Sequence, residues 1–208
     1  ISGTNLLALV NEILDMNEME AGNVDLAADS FRLSDLVKNV TDTILPDVQQ
    51  KGLELKAEAV RITHEEVTGD WARLRQVFLN ILGNSVKFTP SGGILELEVT
   101  EREARKYGCC SYDFIFRDNG VGMEKAFIPH IFEPFSREED SRISRVEGTG
   151  LGMTIAQNIV RMMGGNISVE STQGKGTEVT VTLFLKQQGK SGAEGQSDIA
   201  DEDTLSDK

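Results

Sequence analysis

The chain has 208 residues, of which 39% are hydrophobic and 26% charged, which is typical of a globular domain with extensions. Its formal net charge is −13, and the acidic excess lies largely at the ends, since residues 1–31 carry six acidic and no basic side chains. The sequence shows no basic stripe suited to nucleic acid, no apolar run of roughly 18 residues and no basic leader, so we expect neither a nucleic-acid binder nor a membrane span in these residues.

The first elements are predicted by their apolar periodicity. Residues 4–20 form an amphipathic helical pattern with no obvious partner in a compact domain, so we expect this helix to pack on another one. Residues 24–31 are predicted to be extended, 33–50 helical and 53–59 a strand. Asp70 can cap a further helix that runs to about Phe88.

The second half of the chain is predicted to be richer in strands. Strands are expected at 94–100 and 112–117 with a polar hairpin loop between them, and a second hairpin at 166–171 and 177–185. The polar stretch 136–148 has the character of a lid, and Thr149–Met163 that of a helix. From Gln187 onward the chain lacks an apolar pattern and is predicted to be a disordered tail or linker. The fold class is therefore α/β: a two-layer α/β sandwich with a mixed sheet of about five strands and three main helices.

The cysteines and histidines are not predicted to form a functional site. Cys109 and Cys110 are adjacent and have no metal-site spacing with His64 or His130, so zinc is not expected. Neither histidine has an obvious acid partner in the sequence. We expect two free thiols in a reducing compartment, and hence a cytoplasmic domain.

A polar stripe lies on the second main helix. Asn80, Asn84 and Lys87 are spaced i, i+4, i+7, which places them within about 60° of one another on one helix face. An amide oxygen can ligate Mg²⁺, and an ammonium group can neutralise phosphate charge. An exposed polar face is the alternative interpretation.

Glycine-rich segments and a carboxylate follow. Asp118 ends a strand before two glycines, where it could accept a hydrogen bond from the amine of adenine or simply form a turn. The segment 148–152 precedes a helix and could hold an anion or act as a hinge, and 174–177 could be an ordinary hairpin turn. Residues 132–135 are predicted to be a packed aromatic anchor, and Arg137 in the lid either reaches a terminal phosphate or is solvated.

In this order the motifs resemble those of the catalytic and ATP-binding domain of sensor histidine kinases, within the gyrase/Hsp90/histidine-kinase/MutL ATPase superfamily. Residues 80–88 resemble the N box, 118–122 the G1 box, 132–135 the F box, 148–152 the G2 box and 174–177 the last glycine-rich element. The resemblance implies a Bergerat-type fold that binds ATP and Mg²⁺. It also implies that 1–22 is the end of a dimerisation and phosphotransfer helix, 23–186 the ATP-binding domain and 187–208 a tail.

The resemblance assigns roles to the matched positions. Asn84 would ligate Mg²⁺, Lys87 would contact phosphate, Phe88 would flank the adenine and Asp118 would bind its amine. The other nucleotide-binding positions implied are Gly120, Gly122, Gly148, Thr149, Gly150, Leu151, Gly152 and Thr177. Asn80, Lys87 and Arg137 would be catalytic. Asn80 stands where the gyrase and Hsp90 branch has a water-activating glutamate, and since an amide cannot act as that base, phosphoryl transfer is favoured over hydrolysis.

The resemblance also implies partners. The phosphoacceptor histidine is absent, so the expected partners are a phosphoacceptor-histidine helix of the same or a partner chain, a response regulator and a second copy in a homodimeric full-length protein. That protein could be anchored in the inner membrane. Two alternatives stay open: a nucleotide-gated interaction module that transfers no phosphate, and an ATPase of the gyrase or Hsp90 type.

Overall fold

The computed structural model describes residue 10 and residues 25–59, 62–102, 109–136 and 148–187. Three main α-helices lie in these ranges, α1 (Leu33–Lys51), α2 (Trp71–Phe88) and α3 (Gly152–Met162), together with a short 3₁₀-helix (Ile128–His130). Seven strands accompany them: β1 (Asp29–Arg32), β2 (Glu54–Ala59), β3 (Glu66–Gly69), β4 (Ile94–Arg102), β5 (Cys109–Asp118), β6 (Asn166–Thr172) and β7 (Gly176–Gln187). Among the described residues, no helix combines the length and the apolar content that a membrane crossing requires.

The strands form one mixed sheet in the order β1-β3-β7-β5-β4-β2, with β6 also paired to β7. β2 pairs in parallel with β4, and the other described pairs are antiparallel. β7 is long enough to pair with β6 along its first half and with β3 at its end. Its other edge pairs with β5, which places Thr177 opposite Asp118. This register brings two sequence motifs to the same end of the sheet.

The helices cover one face of the sheet, where apolar side chains of alternate strand residues are buried. Phe78 of α2 packs on Phe114 and Phe116 of β5, with ring centroids 4.8 and 5.2 Å away. The opposite face is polar. There Arg117 bridges a carboxylate of β4 at 2.6 Å and one of β7 at 2.5 Å. The alternation on the strands therefore produces the two-layer arrangement predicted from the sequence.

Two helix ends are held by specific contacts. The carboxylate of Asp70 accepts the N–H of Arg73 at 2.9 Å, which caps α2 as predicted, and its second oxygen accepts the N–H of Ala27 at 3.0 Å. One side chain thus fixes both the start of α2 and the segment that enters β1. Helix α1 ends at Lys51 and is capped by Gly52, which has a φ of 67° that favours glycine and donates its N–H to the carbonyl of Gln49 at 3.0 Å.

The predicted helices over 33–50 and up to Phe88, and all five predicted strands, are confirmed within a few residues. The predicted extended segment at 24–31 contains most of β1, which was not counted among the five strands, and β3 was not predicted; both strands have only four residues and show no clear alternation. Helix α3 begins at Gly152 and not at Thr149, since Gly150 has a φ of 75° and cannot continue a right-handed helix. Four predicted segments lie outside the described residues: the helix at 4–20 (except residue 10), most of the 101–108 loop, most of the lid, and the tail from 188. The domain boundaries therefore stay predictions.

Candidate functional site

A cavity of about 320 Å³ lies between α2, the adjoining ends of β5 and β7, and the segment that leads into α3. This volume is at the lower end of the usual range for small-molecule sites. The expected site residues that line it are Asn80, Asn84, Lys87, Phe88, Asp118, Gly122, Gly148, Thr149, Gly150, Gly152 and Thr177. Residues spread over nearly a hundred positions in sequence therefore meet at one concave surface.

Asp118 provides a carboxylate at one end of this cavity. It accepts the N–H of Gly120 at 3.0 Å and hydrogen bonds from the Ser85 hydroxyl and the Thr177 N–H. Burial raises the pKa of Asp118, and these three donors oppose the rise. The donors also hold the carboxylate in one orientation, so it is a preorganised acceptor and more than a turn-forming residue.

The turn after Asp118 requires glycine at two positions. A Cβ on Gly120 would lie 2.6 Å from the carbonyl oxygen of Phe88, and Gly120 is buried beside α2 and does not line the cavity. Gly122 has a φ of 63°, and a Cβ there would lie 2.1 Å from the carbonyl oxygen of Thr172. The N–H of Val121 donates to Phe88 at 3.1 Å, so the turn is fastened directly to the end of α2. Gly120 thus shapes the site without lining it.

The polar stripe of α2 faces the cavity and is partly buried, so the alternative of an exposed polar face is wrong. The amide of Asn80 donates to the carbonyl of Gly152 at 3.0 Å, which joins α2 to the start of α3. The ammonium of Lys87 lies 5.3 Å from the centroid of the Phe88 ring. It also lies next to Gly148, where an added Cβ would be 2.0 Å from Nζ. The stripe therefore places an ammonium group beside the second glycine-rich segment.

That segment crosses the cavity before α3 begins. Gly150 adopts a φ of 75°, and its carbonyl accepts the N–H of Phe135 at 3.1 Å. The side chain of Leu151 is fully buried in the core, and its N–H donates to the Thr149 hydroxyl at 3.3 Å. The expected nucleotide contact of Leu151 can therefore involve its backbone but not its side chain. The N-terminus of α3 at Gly152 lines the cavity and supplies a partial positive charge.

Two predictions about neighbouring residues are wrong. Phe132 packs on the core, but Phe135 is 59% exposed, so only one of the two aromatic rings is a packed anchor. His64 and His130 do have acid partners: their Nδ1 atoms lie 2.6 Å from Glu101 and 2.9 Å from Glu133. Arg137 lies outside the described residues, so its assignment stays a prediction.

Part of the cavity lining was not predicted from the sequence. Ser85 is buried at a position where the apolar period of α2 predicts a hydrophobic residue, and that mismatch is the signal that could have found it. Met123, Phe127 and Ile131 line the apolar part of the cavity. Their spacing of four residues was visible in the sequence, but most of the segment is a series of turns.

The resemblance implies Mg²⁺, and the donors present suit it. Asn80 and Asn84 offer amide oxygens, which are hard ligands, and the described lining contains neither thiol nor imidazole. Mg²⁺ usually retains waters and takes the rest of its ligands from phosphate oxygens, so one protein ligand is compatible with a bound nucleotide.

Lys51 was not predicted to matter, yet it holds the end of α2 that carries Asn84 and Lys87. Its ammonium donates to the backbone carbonyls of Val86 and Lys87, both at 2.7 Å. These are C-terminal carbonyls of the helix, where a positive charge is favourable. Burial lowers the pKa of Lys51. One side chain from α1 therefore positions the polar end of α2.

Lys51→Met should lower the free energy of unfolding by about 2 kcal/mol, because two charge-assisted hydrogen bonds are lost and two carbonyls are left without this donor. Urea unfolding of the purified chain would measure it. The matched control is Lys38→Met, since Lys38 is 74% exposed and pairs with Asp42 one turn away, and its substitution should change the free energy of unfolding far less than Lys51→Met does. Equal losses in the two variants would contradict the role of Lys51.

The chain is similar in sequence to three sensor proteins. It is 35% identical over 184 residues to the sensor protein GacS of Pseudomonas syringae pv. syringae, and these residues are 88% of this chain and 20% of that protein. The autoinducer 2 sensor kinase/phosphatase LuxQ of Vibrio parahaemolyticus is 35% identical over 188 residues, 89% of this chain and 21% of LuxQ. The sensory/regulatory protein RpfC of Xanthomonas campestris pv. campestris is 35% identical over 176 residues, 85% of this chain and 24% of RpfC. The chain thus spans about a fifth to a quarter of the length of the curated relatives it matches.

Solved structures show the same architecture. Full-length ShkA, solved in complex with AMPPNP, superposes with a TM-score of 0.74 and 28% identity, covering 89% of this chain and 37% of ShkA. The mycobacterial sensor histidine kinase MprB, at 20% identity and a TM-score of 0.59, shares the fold; the match covers 77% of this chain and 99% of that one. The family model described as histidine kinase-, DNA gyrase B- and HSP90-like ATPase matches residues 69–187, more than half of the chain. The chain therefore belongs to the histidine kinase-, DNA gyrase B- and HSP90-like ATPase family.

Proposed function

We propose that these residues are the ATP-binding catalytic domain of a two-component sensor histidine kinase, which transfers the γ-phosphoryl group of ATP to a histidine outside this sequence. The observation that carries the proposal is the position of Asp118. Its carboxylate is fixed at one end of a cavity whose other described walls carry Asn84, Lys87 and the glycine-rich segment before α3. One acceptor for a base and several groups suited to phosphate therefore share one concave surface.

The nucleotide would lie along this cavity. Asp118 would accept the adenine amine, with Phe88 and the apolar lining against the ring, and Thr177, which lies opposite Asp118, lines the same end of the cavity. Lys87 and the backbone N–H groups at 148–152 would hold the phosphates. Asn84 would hold Mg²⁺, which when bound neutralises phosphate charge. Arg137 is proposed as a further phosphate contact.

Catalysis by this chain would consist of positioning and electrostatic stabilisation. Asn80 cannot remove a proton from water, and its amide is already engaged with the carbonyl of Gly152. This hydrogen bond favours a structural role for Asn80, which joins α2 to α3. Because Asn80 cannot activate water, phosphoryl transfer to an external nucleophile is favoured over hydrolysis. That nucleophile would come from a phosphoacceptor-histidine helix of the same or a partner chain, in a homodimer that passes the phosphoryl group to a response regulator. The helix at 4–20 would be the end of that phosphotransfer domain, in a cytoplasmic part of a protein that could be anchored in the inner membrane.

Transfer in trans tests the proposal. The chain is incubated with γ-labelled ATP, Mg²⁺ and a separately purified phosphoacceptor domain, for which that of GacS is a suitable choice. Acid-labile label on the acceptor is expected, and an acceptor with glutamine in place of its histidine is the control. Steady release of ADP and phosphate with no labelled acceptor would instead indicate an ATPase of the gyrase type. Binding of ATP with neither outcome would indicate the nucleotide-gated interaction module.

Asn84→Ala is expected to remove most of the Mg²⁺ dependence of nucleotide binding, because it deletes the proposed protein ligand to the ion. The ratio of the AMPPNP dissociation constants without and with Mg²⁺ should fall by about tenfold or more. Calorimetric titrations in the presence of Mg²⁺ and of EDTA give that ratio. Asn39→Ala is the matched control, because Asn39 is an exposed amide of α1 that binds Arg75 away from the cavity. An unchanged ratio in Asn84→Ala would contradict the assignment.

A further inference from the structure

A second cluster of ligating side chains lies at the end of the sheet opposite the cavity. His64 precedes β3, Glu101 lies near the end of β4, and Cys110 lies at the start of β5. Their ligating atoms all lie within 4.8 Å of one another. Cys110 and Asp118 are eight residues apart on the same strand, a separation of about 26 Å at roughly 3.3 Å per residue. The cluster is therefore separate from the proposed nucleotide site.

The atoms are placed almost as a tetrahedral metal site would need them. Nδ1 of His64 is 3.7 Å from the sulfur of Cys110 and 2.6 Å from Oε1 of Glu101. Ligands of a zinc ion with ordinary bond lengths lie about 3.6 Å apart for nitrogen and sulfur and about 3.3 Å apart for nitrogen and oxygen. The first pair already fits, and the second needs an opening of about 0.7 Å, which the 39% exposed side chain of His64 permits.

The surroundings hold the ligands in place. The second oxygen of Glu101 accepts the N–H groups of Thr63 and His64 at 2.6 and 2.7 Å, and the Tyr112 hydroxyl donates to the His64 carbonyl at 2.6 Å. The amide of Gln187 contacts the sulfur of Cys110 and can donate to a thiolate.

The geometry points to a Zn²⁺ site formed by His64, Glu101 and Cys110. One nitrogen, one oxygen and one sulfur donor suit a borderline ion such as Zn²⁺ and disfavour Mg²⁺ or Ca²⁺. Binding would release the thiol proton of Cys110 to solvent and would require the His64 ring to carry its proton on Nε2 instead of Nδ1, and it would leave one position open to solvent beside His64. The ion would join the segment before β3 to β4 and β5. The absence of metal spacing in the sequence does not bear on this site, because strand pairing brings its three ligands together.

Cobalt titration tests the site. The reduced, chelator-treated chain is titrated with Co²⁺, and a thiolate-to-cobalt charge-transfer absorption that saturates at one ion per chain and is displaced by Zn²⁺ is expected. Cys110→Ser should abolish the absorption, and His64→Gln should weaken Zn²⁺ affinity by about tenfold or more. Cys109→Ser is the matched control and should change neither. Thermal unfolding followed by circular dichroism verifies that each variant is folded.

The cluster does not depend on the proposed function, and neither result affects the other. No charge-transfer absorption in the wild-type chain, or an absorption that survives Cys110→Ser, would overturn the site. An absorption lost in Cys109→Ser would overturn it as well. If Cys110→Ser does not fold, His64→Gln still tests the site, because unchanged Zn²⁺ affinity in His64→Gln would exclude His64 as a ligand.

Discussion

Asp118→Asn is expected to reduce the affinity for AMPPNP by about 100-fold or more. The substitution replaces the acceptor proposed for the adenine amine with a group that can present an N–H, so one charge-assisted hydrogen bond is lost and two donors can face each other. The three donors that hold the carboxylate also fix the orientation of the new side chain, so the site cannot adapt easily. Calorimetric titration of wild type and variant measures the change.

The loss should not come from unfolding. Because burial raises the pKa of Asp118, its ionised form is less favourable in the folded than in the unfolded chain. That penalty exists above the folded pKa and disappears as the pH falls below the unfolded value. As the pH is lowered from about 7 to about 4, the unfolding temperature of the wild type should therefore rise relative to that of Asp118→Asn.

Asp113→Asn is the matched control for this substitution. Asp113 is also a buried carboxylate of β5, but it binds the Thr182 hydroxyl at 2.7 Å on the polar side of the sheet. Its substitution should lower stability and leave AMPPNP affinity unchanged. Normal affinity in Asp118→Asn, or an equal loss in Asp113→Asn, would contradict the adenine assignment.

Gly122→Ala is expected to lower the free energy of unfolding by about 3 kcal/mol or more. Its φ of 63° costs an alanine about 1–2 kcal/mol, and the added Cβ would lie 2.1 Å from a backbone oxygen of Thr172, an overpacking that typically costs about 1–3 kcal/mol. Relief requires the turn after Asp118 to move away from the β6–β7 hairpin. AMPPNP affinity should therefore fall together with stability, as measured by urea unfolding and calorimetry.

Gly174→Ala separates the two causes. Gly174 has a φ of 78° in the β6–β7 turn, but an added Cβ there would meet nothing within 4 Å. The variant should lose only the conformational term, about 1–2 kcal/mol, and keep its affinity. Similar losses in Gly122→Ala and Gly174→Ala would show that the close approach at Thr172 is not a constraint.

Local patterns predicted most of the fold. Short stretches of sequence encode the periodic apolar positions of α1 and α2, the cap at Asp70 and the long alternating strands. The structure has all of them where they were predicted. The four-residue strand β3 was not predicted and β1 was predicted only as part of an extended segment, because these strands are defined by their pairing with each other and with β7 and not by a pattern of their own. The start of α3 was misplaced because the sequence shows that Gly150 is permissive but not which conformation it takes.

The site residues, too, fall into those that local patterns predict and those that they do not. Asn80, Asn84 and Lys87 could be placed on one face from helical spacing alone, and the structure does bring them to the cavity. The partner of Ser85, Asp118, and the contact of Lys51 with the end of α2 could not be predicted, since they join segments more than 30 residues apart. The same holds for His64 and its carboxylate partner Glu101. Spacing in the sequence predicts which residues are neighbours on one helix or strand. These contacts depend instead on how the strands and helices are arranged in the fold.

A calorimetric titration of this chain with AMPPNP, with and without Mg²⁺, shows directly whether the cavity binds a nucleotide. We expect saturable binding at one site per chain that is tighter with Mg²⁺ and that is weakened by about 100-fold or more in Asp118→Asn. Absence of binding to the folded wild-type chain, or binding that Asp118→Asn leaves intact, would contradict the claim that this cavity is a nucleotide site.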